Sequence, residues 1–175
     1  MKKYILFIVL LVSSFGYAQN DYLLAENYFR GGEYEKATTV FKKLYDNSPF
    51  NTTYLQRLIS CYQETNQFVR AEELLKTKIQ SNPSLVFLYV YLGYNYERQQ
   101  QKETANIYYE KALSAIDKKS NYSGIIASIF KNYSLLDYAI TAYEKAMENN
   151  PRVNYNFQIA QIYGEKGAFK KMFQS

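Results

Sequence analysis

Apolar and polar positions along this chain form a pattern that returns at a fixed interval. Between Val86 and Asp117 the apolar positions are Tyr89, Leu92, Gly93 and Tyr96, then Ala105, Tyr109 and Ala112, with the polar stretch Arg98–Lys102 between the two sets. Spacings of three and four residues place each set on one face of a helix, so this stretch predicts two amphipathic helices joined by a turn. Tyr62 and Tyr28 lie 34 and 68 residues before Tyr96, and Phe130 lies 34 after it. Ala105 has counterparts at Ala37, Ala71 and Ala139, and Tyr109 at Phe41, Leu75 and Tyr143. Pro49 and Pro83 are 34 apart, and Pro151 stands 68 beyond Pro83. A fixed period of this size means a stack of similar supersecondary units.

Helix ends fit the same register. Gly31-Gly32 stops the first helix of the first unit, since glycine accepts the left-handed conformation at no steric cost. Thr65-Asn66 is the corresponding turn of the second. Asn47-Ser48-Pro49, Asn82-Pro83 and Asn149-Asn150-Pro151 end the second helices, and Lys118-Lys119 closes that of the third unit, where cations suit the negative end of the helix dipole. The units run at about 18–51, 52–85, 86–119 and 120–152. An incomplete fifth at 153–175 begins one residue early and carries Ile159, Ala160, Tyr163, Gly167, Phe169 and Met172. No period-2 strand run and no βαβ alternation occurs, so the chain beyond its N-terminal segment is expected to be all-α.

Helix–turn–helix units of 34 residues with Trp-x2-Leu-Gly-x2-Tyr, Ala-x3-Phe and Pro mark the tetratricopeptide repeat, and this chain resembles that family from about Asn20 onward. The third repeat carries the resemblance best, with Tyr89 in the Trp place, Leu92-Gly93, Tyr96, Ala105 and Tyr109. The resemblance implies a right-handed superhelix of antiparallel helix pairs, about 4.5 repeats long. Small residues (Gly93, Ala25, Ala127, and Ala37, Ala71, Ala105, Ala139) would let paired helices approach, and Tyr28, Tyr62, Tyr96 and Phe130 would fill the space between units. It also implies a concave groove lined by residues of helix A, the first helix of each pair (helix B being the second), that are not used in packing. Those are Tyr22, Glu26, Phe29 and Arg30; Gln56, Ser60, Gln63 and Glu64; Phe87, Val90, Tyr94, Glu97 and Arg98; and Gly124, Ser128, Lys131 and Asn132. Such a groove implies another protein or a peptide as partner. Tyr94 and Phe87 stand out, as large rings with no evident packing duty. The Lys/Arg/Asn clamp by which chaperone-binding relatives hold a terminal carboxylate is missing, because Tyr22, Glu26, Gln56 and Ser60 occupy the corresponding places.

Composition narrows the chemistry. The 175 residues are 47% apolar and 21% charged, too apolar for a disordered chain, and 20 Tyr and 11 Phe supply the aromatic packing. There is no His and a single Cys, Cys61. That removes an intramolecular disulfide, a His/Cys zinc site and His-based acid–base catalysis, and neither a phosphate-binding glycine loop nor a nucleophile–base pair is visible. No catalytic residue, metal or cofactor is expected. Cys61 reads as a packed thiol, and Glu72-Glu73 as a solvated pair whose side chains diverge by about 100°. The net charge of +5 falls to +3 without Lys2 and Lys3 (19 basic against 16 acidic residues), too mild for a nucleic-acid binder.

Lys2-Lys3, the apolar run Tyr4–Val12 and the small residues before Gln19 read as a secretory signal at 1–18, cleaved after Ala18. The apolar core is about half the ~20 residues a spanning helix needs, so no stable membrane insertion is expected after cleavage. The Ala-Gln junction resembles exported proteins of the Bacteroidetes and flavobacterial type. The expectation is an exported, non-catalytic scaffold, periplasmic, outer-membrane-associated or secreted. The alternatives are a glycan-binding or nutrient-uptake accessory protein, or the N-terminal part of a larger protein. The chain stops at Ser175 inside what the register makes a helix B, which reads as a truncated array whose last unit frays.

Overall fold

A computed structural model describes residues 20–117 and 122–172, with side chains described to residue 167. The expected signal at 1–18 and the Lys118-Lys119 helix end lie outside the described residues, as do the side chains of Phe169 and Met172. The described chain is all-α. Residues 20–30 form α1. The helices that follow are α2 (Tyr34–Asn47), α3 (Thr52–Glu64), α4 (Phe68–Ser81), α5 (Leu88–Glu97), α6 (Lys102–Ser114), α7 (Ser123–Asn132), α8 (Leu136–Asn149) and α9 (Asn156–Met172). No described helix is long and apolar enough to cross a membrane.

Turns between paired helices explain the period physically. Among the described residues, those with positive φ are Gly32 (74°), Asn66 (55°), Gln100 (63°) and Ser134 (59°), each 34 beyond the last. One residue later, the backbone N–H of Glu33, Gln67, Gln101 and Leu135 donates to the carbonyl of Tyr28, Tyr62, Tyr96 and Phe130, at 2.8, 2.7, 3.0 and 2.9 Å. This six-to-one bond over a left-handed residue is the Schellman helix end. Its acceptor is always the large aromatic residue of helix A, so the residue that fills the core also supplies the carbonyl that turns the chain. Only the first turn uses glycine at the left-handed position; Asn66 is the next best suited, and Gln100 and Ser134 are held there by their hydrogen bonds.

The chain divides into two compact units, with the boundary between Ala71 and Glu72 inside α4. In the N-terminal unit, Ala25, Ala37, Phe41, Leu44, Leu55, Leu58, Ile59, Cys61 and Ala71 are buried. Tyr22 of α1 meets Phe41 of α2 edge-on at 6.1 Å, and α3 is capped by Asn51, whose Oδ1 accepts from the N–H of Thr53 and Tyr54.

In the C-terminal unit, α5 pairs with α6 and α7 with α8. Leu92, Tyr96, Ala105, Tyr109, Ala112, Ile126, Ala127, Phe130, Ala139 and Tyr143 form its core. Gly93 allows the α5–α6 approach: a Cβ there would stand 2.3 Å from the Tyr109 ring and 3.1 Å from the Ala105 carbonyl oxygen. Tyr109 then meets Phe130 at 5.5 Å and Tyr138 at 5.0 Å, tying α6 to both helices of the next pair.

Two expectations fail here. Glu72 is not simply solvated, since it accepts from the Tyr96 hydroxyl at 2.9 Å and from Lys76 at 2.6 Å. Burial would raise its pKa, but these two donors outweigh it and hold the carboxyl below its usual value. The fifth unit does not turn near Gly167, because α9 runs unbroken through Gly164 and Gly167, neither of which takes a positive φ. Its buried anchor is Ile162, whereas Phe157 and Tyr163 are 70% and 56% exposed.

Candidate functional site

Each unit presents a set of helix A residues at the expected groove positions, and the two sets are chemically different. In the N-terminal unit the set is built around an ion pair. Glu26, one turn before the end of α1, is only 5% exposed. Arg57 of α3 reaches back to it, with Nε 2.5 Å from Oε1 and Nη2 donating to Oε2 at 2.9 Å. Arg30 lies on the other side of the carboxylate, its Nε 3.9 Å from Oε2. The Arg57 guanidinium sits 5.0 Å from the centre of the Phe29 ring, a cation–π distance. Burial, and then the Glu26 carboxylate, hold the Tyr22 phenol above its ordinary value of 10.0, so the hydroxyl keeps its proton. Gln56 and Ser60 are half-buried alongside on α3.

Glu26 is therefore not an open groove residue as expected: its carboxylate is covered and committed to Arg57. Gln63 is a second correction, fully buried in the last turn of α3 beside Tyr62. Arg57 was not foreseen. It stands one residue past the groove position Gln56, and nothing in the period marks a residue that contacts a helix 31 positions earlier.

In the C-terminal unit the set is aromatic. Tyr94 is half-buried, and its ring stacks on Tyr133 with centroids 3.8 Å apart and planes 14° from parallel. Tyr91 meets the same Tyr133 ring edge-on at 5.6 Å. Arg98, one turn beyond Tyr94, places its guanidinium carbon 5.8 Å from the Tyr94 ring and donates from Nη1 to its hydroxyl at 3.3 Å. Tyr94 was expected to be a ring without a packing duty; it has one, and its partner Tyr133 carries no signal in the repeat register. Phe87 and Val90, also expected in the groove, are core residues. Phe87 packs against Tyr122 at 5.2 Å, because the start of α7 lies over the start of α5. A helix flanked by other helices is covered on more than one face, which is why Leu88, Val90, Tyr91, Leu92, Gly93, Asn95 and Tyr96 of α5 are all buried. In the fourth repeat Ser128 and Asn132 are exposed, and Lys131 pairs with Glu165 of α9 at 3.1 Å.

Behind this surface the Tyr109 hydroxyl donates to the Glu97 carboxylate. Burial, reinforced by that carboxylate, raises the Tyr109 phenol far above its ordinary value. Burial likewise pushes the Cys61 thiol up to about 12, so it stays protonated and chemically quiet at neutral pH. No group of His, Cys, Asp or Glu residues suited to a metal ion occurs among the described residues.

The tetratricopeptide repeat family model matches residues 19–51. That is the first repeat rather than the third, which carries the closest match to the short motif. A human protein described as Protein IFIT1 homolog B is 26% identical over 133 residues, covering 69% of this chain and 27% of that protein. The chain thus spans about a quarter of the length of that curated relative. Similar solved structures include MamA 41-end from Desulfovibrio magneticus RS-1, 20% identical with a TM-score of 0.48, covering 78% of this chain and 77% of that one. Another is BtubC (BKLC) from P. vanneervenii, 15% identical with a TM-score of 0.47, covering 87% and 74%. Residues 19–51 match the tetratricopeptide repeat, three further helix pairs repeat its turn at the same 34-residue spacing, and the fold is an all-α array of that type.

Proposed function

We propose that this chain is a non-catalytic scaffold of the bacterial cell envelope that holds a segment of another protein against its helix A surface. The observation that carries the reading is the Tyr94–Tyr133 stack with Arg98 at its edge. Tyrosine and arginine are, with tryptophan, enriched at the energetic centres of protein interfaces; tyrosine brings large area and a polar tip with little conformational freedom to lose, and arginine brings a planar set of donors. Stacking already restrains the Tyr94 ring, so a partner that lies on it orders few further groups. Ser128 and Asn132, exposed on α7 of the same unit, add adaptable polar contacts. Placement in the envelope rests on the export signal read at 1–18.

Photo-crosslinking tests the scaffold. With p-benzoylphenylalanine in place of Tyr94, discrete protein adducts are expected from envelope extract, and none with the same group at Ile107, exposed on α6. Equal labelling at both sites, or none at either, overturns the reading. For the export step, mass spectrometry of the periplasmic fraction is expected to give a mature N-terminus at Gln19; a chain retained intact in the cytosol would rule out the envelope placement.

A further inference from the structure

We propose that Arg30 and Arg57 of the N-terminal unit form a binding site for a single acidic side chain of a protein partner, an inference that rests on the scaffold reading above. The cluster holds two cations and one carboxylate, a local balance of +1. The carboxylate is covered while the cations are open, with Glu26 side-chain exposure at 7% and that of Arg57 and Arg30 at 37% and 78%. A guanidinium carries five N–H donors. Arg57 sets Nε 2.5 Å from Oε1 and donates from Nη2 to Oε2 of Glu26, while its side chain stays 37% exposed to an incoming ligand. Phe29 holds the guanidinium plane from the side. Glu26 therefore acts as an orienting group: it fixes the fork before a ligand arrives, so little freedom is lost on binding. Arg30 supplies the second cation within reach.

The chemistry of the occupant follows from charge and shape. A planar carboxylate matches a planar fork with two parallel N–H···O bonds. Tyr22 stays protonated beside it as a further polar group. Polyanions fit poorly. Between residues 20 and 71, six basic residues are balanced by six acidic ones, so this cluster lies in an electrically neutral stretch of chain. One Asp or Glu in an otherwise neutral segment is complementary to that pattern.

The test uses the full chain and three fluorescein-labelled peptides that differ at one central residue, Gly-Ser-Leu-Glu-Leu-Ser-Gly and its Gln and Lys counterparts, followed by anisotropy in low salt. The Glu peptide is expected to bind about tenfold more tightly than the Gln peptide, with the Lys peptide weaker still. Arg30→Gln and Arg57→Gln are each expected to weaken the Glu peptide by roughly five- to tenfold. Arg57→Lys, which keeps the charge and loses the fork, should weaken it nearly as much. Melting by circular dichroism checks that each variant folds, and if Arg57→Gln does not, the open Arg30→Gln carries the test alone. Equal affinity for the Glu and Gln peptides, or wild-type binding by folded Arg30→Gln, overturns the proposal. So does a sulfated oligosaccharide that displaces the Glu peptide at equal concentration. Adducts at Tyr94 with no Glu preference discard the acidic site and leave the scaffold; the absence of both discards both.

Discussion

The two units meet the same demand with different chemistry. In the N-terminal unit the second groove position of the first repeat holds Glu26, covered in an ion pair with Arg57. In the C-terminal unit the position 68 residues later holds Tyr94, sealed in a ring stack with Tyr133. The first arrangement pairs a covered carboxylate with a guanidinium through a hydrogen bond to Oε2 and leaves the cations more exposed than the carboxylate. The second stacks two half-buried rings and ties the Tyr94 hydroxyl to the Arg98 guanidinium. A repeat position therefore specifies where a side chain starts, not what it does. Its duty is set by which neighbour can reach it, Arg57 across from α1 in one case and Tyr133 at the end of α7 in the other.

The sharpest way to break the C-terminal side of this comparison is at Gly93. Gly93→Ala drives a methyl into the Tyr109 ring and the Ala105 backbone, and is expected to cost about 2–3 kcal/mol. Gly164→Ala, with nothing within 4 Å of the added carbon, should instead stabilise α9 by up to about 1 kcal/mol. Thermal melts of the two variants should move in opposite directions; a matching fall in both would mean that the close α5–α6 approach is not what Gly93 provides.

Next in size is Tyr109→Phe, expected to cost about 1–2 kcal/mol at neutral pH by removing the donor to Glu97. The sign of its pH dependence is fixed. The folded-state pKa of Tyr109 is raised above the ordinary 10.0, so its contribution is full below about pH 10. That contribution declines above pH 10, where only the unfolded chain loses the proton. The melting temperature of the wild type should therefore fall more steeply between pH 9 and 11 than that of Tyr109→Phe. Parallel falls would place the phenol in contact with water.

The smallest effects compare the turns. Gln100→Gly and Ser134→Gly in the C-terminal unit should each stabilise by up to about 1 kcal/mol, because the left-handed backbone strains any residue with a Cβ. Asn66→Gly should gain less, since asparagine tolerates that region. Denaturant midpoints that drop for all three would show that those side chains do more than occupy a turn.

The period, the helix pairs and the small residues at the pair contacts were legible because they are local and repeated. The expectations at Ala37, Ala71, Ala105 and Ala139 hold, as all four are buried. The turn residues were partly legible: Gly32 and Asn66 announce themselves by type, whereas Gln100 and Ser134 are recognisable only by their place 34 and 68 residues further on. The groove face was legible as a set of positions but not as a surface. Phe87 and Val90 turned out to be core, and Glu26 and Gln63 are covered, because exposure depends on groups brought in from other helices.

What the chain determined by itself was an all-α array with a 34-residue unit. Helix periodicity, left-handed caps and the alternation of small and large residues are consequences of backbone geometry acting within a few turns. What only the tertiary structure decided was the partner of each surface side chain: Arg57 for Glu26, Tyr133 for Tyr94, Tyr96 for Glu72, and an unbroken α9 where the register called for a turn. Those pairings join residues up to 39 positions apart, and no local rule of spacing connects them. They form because burial leaves polar and aromatic groups to find whatever complementary group the packed helices bring within reach.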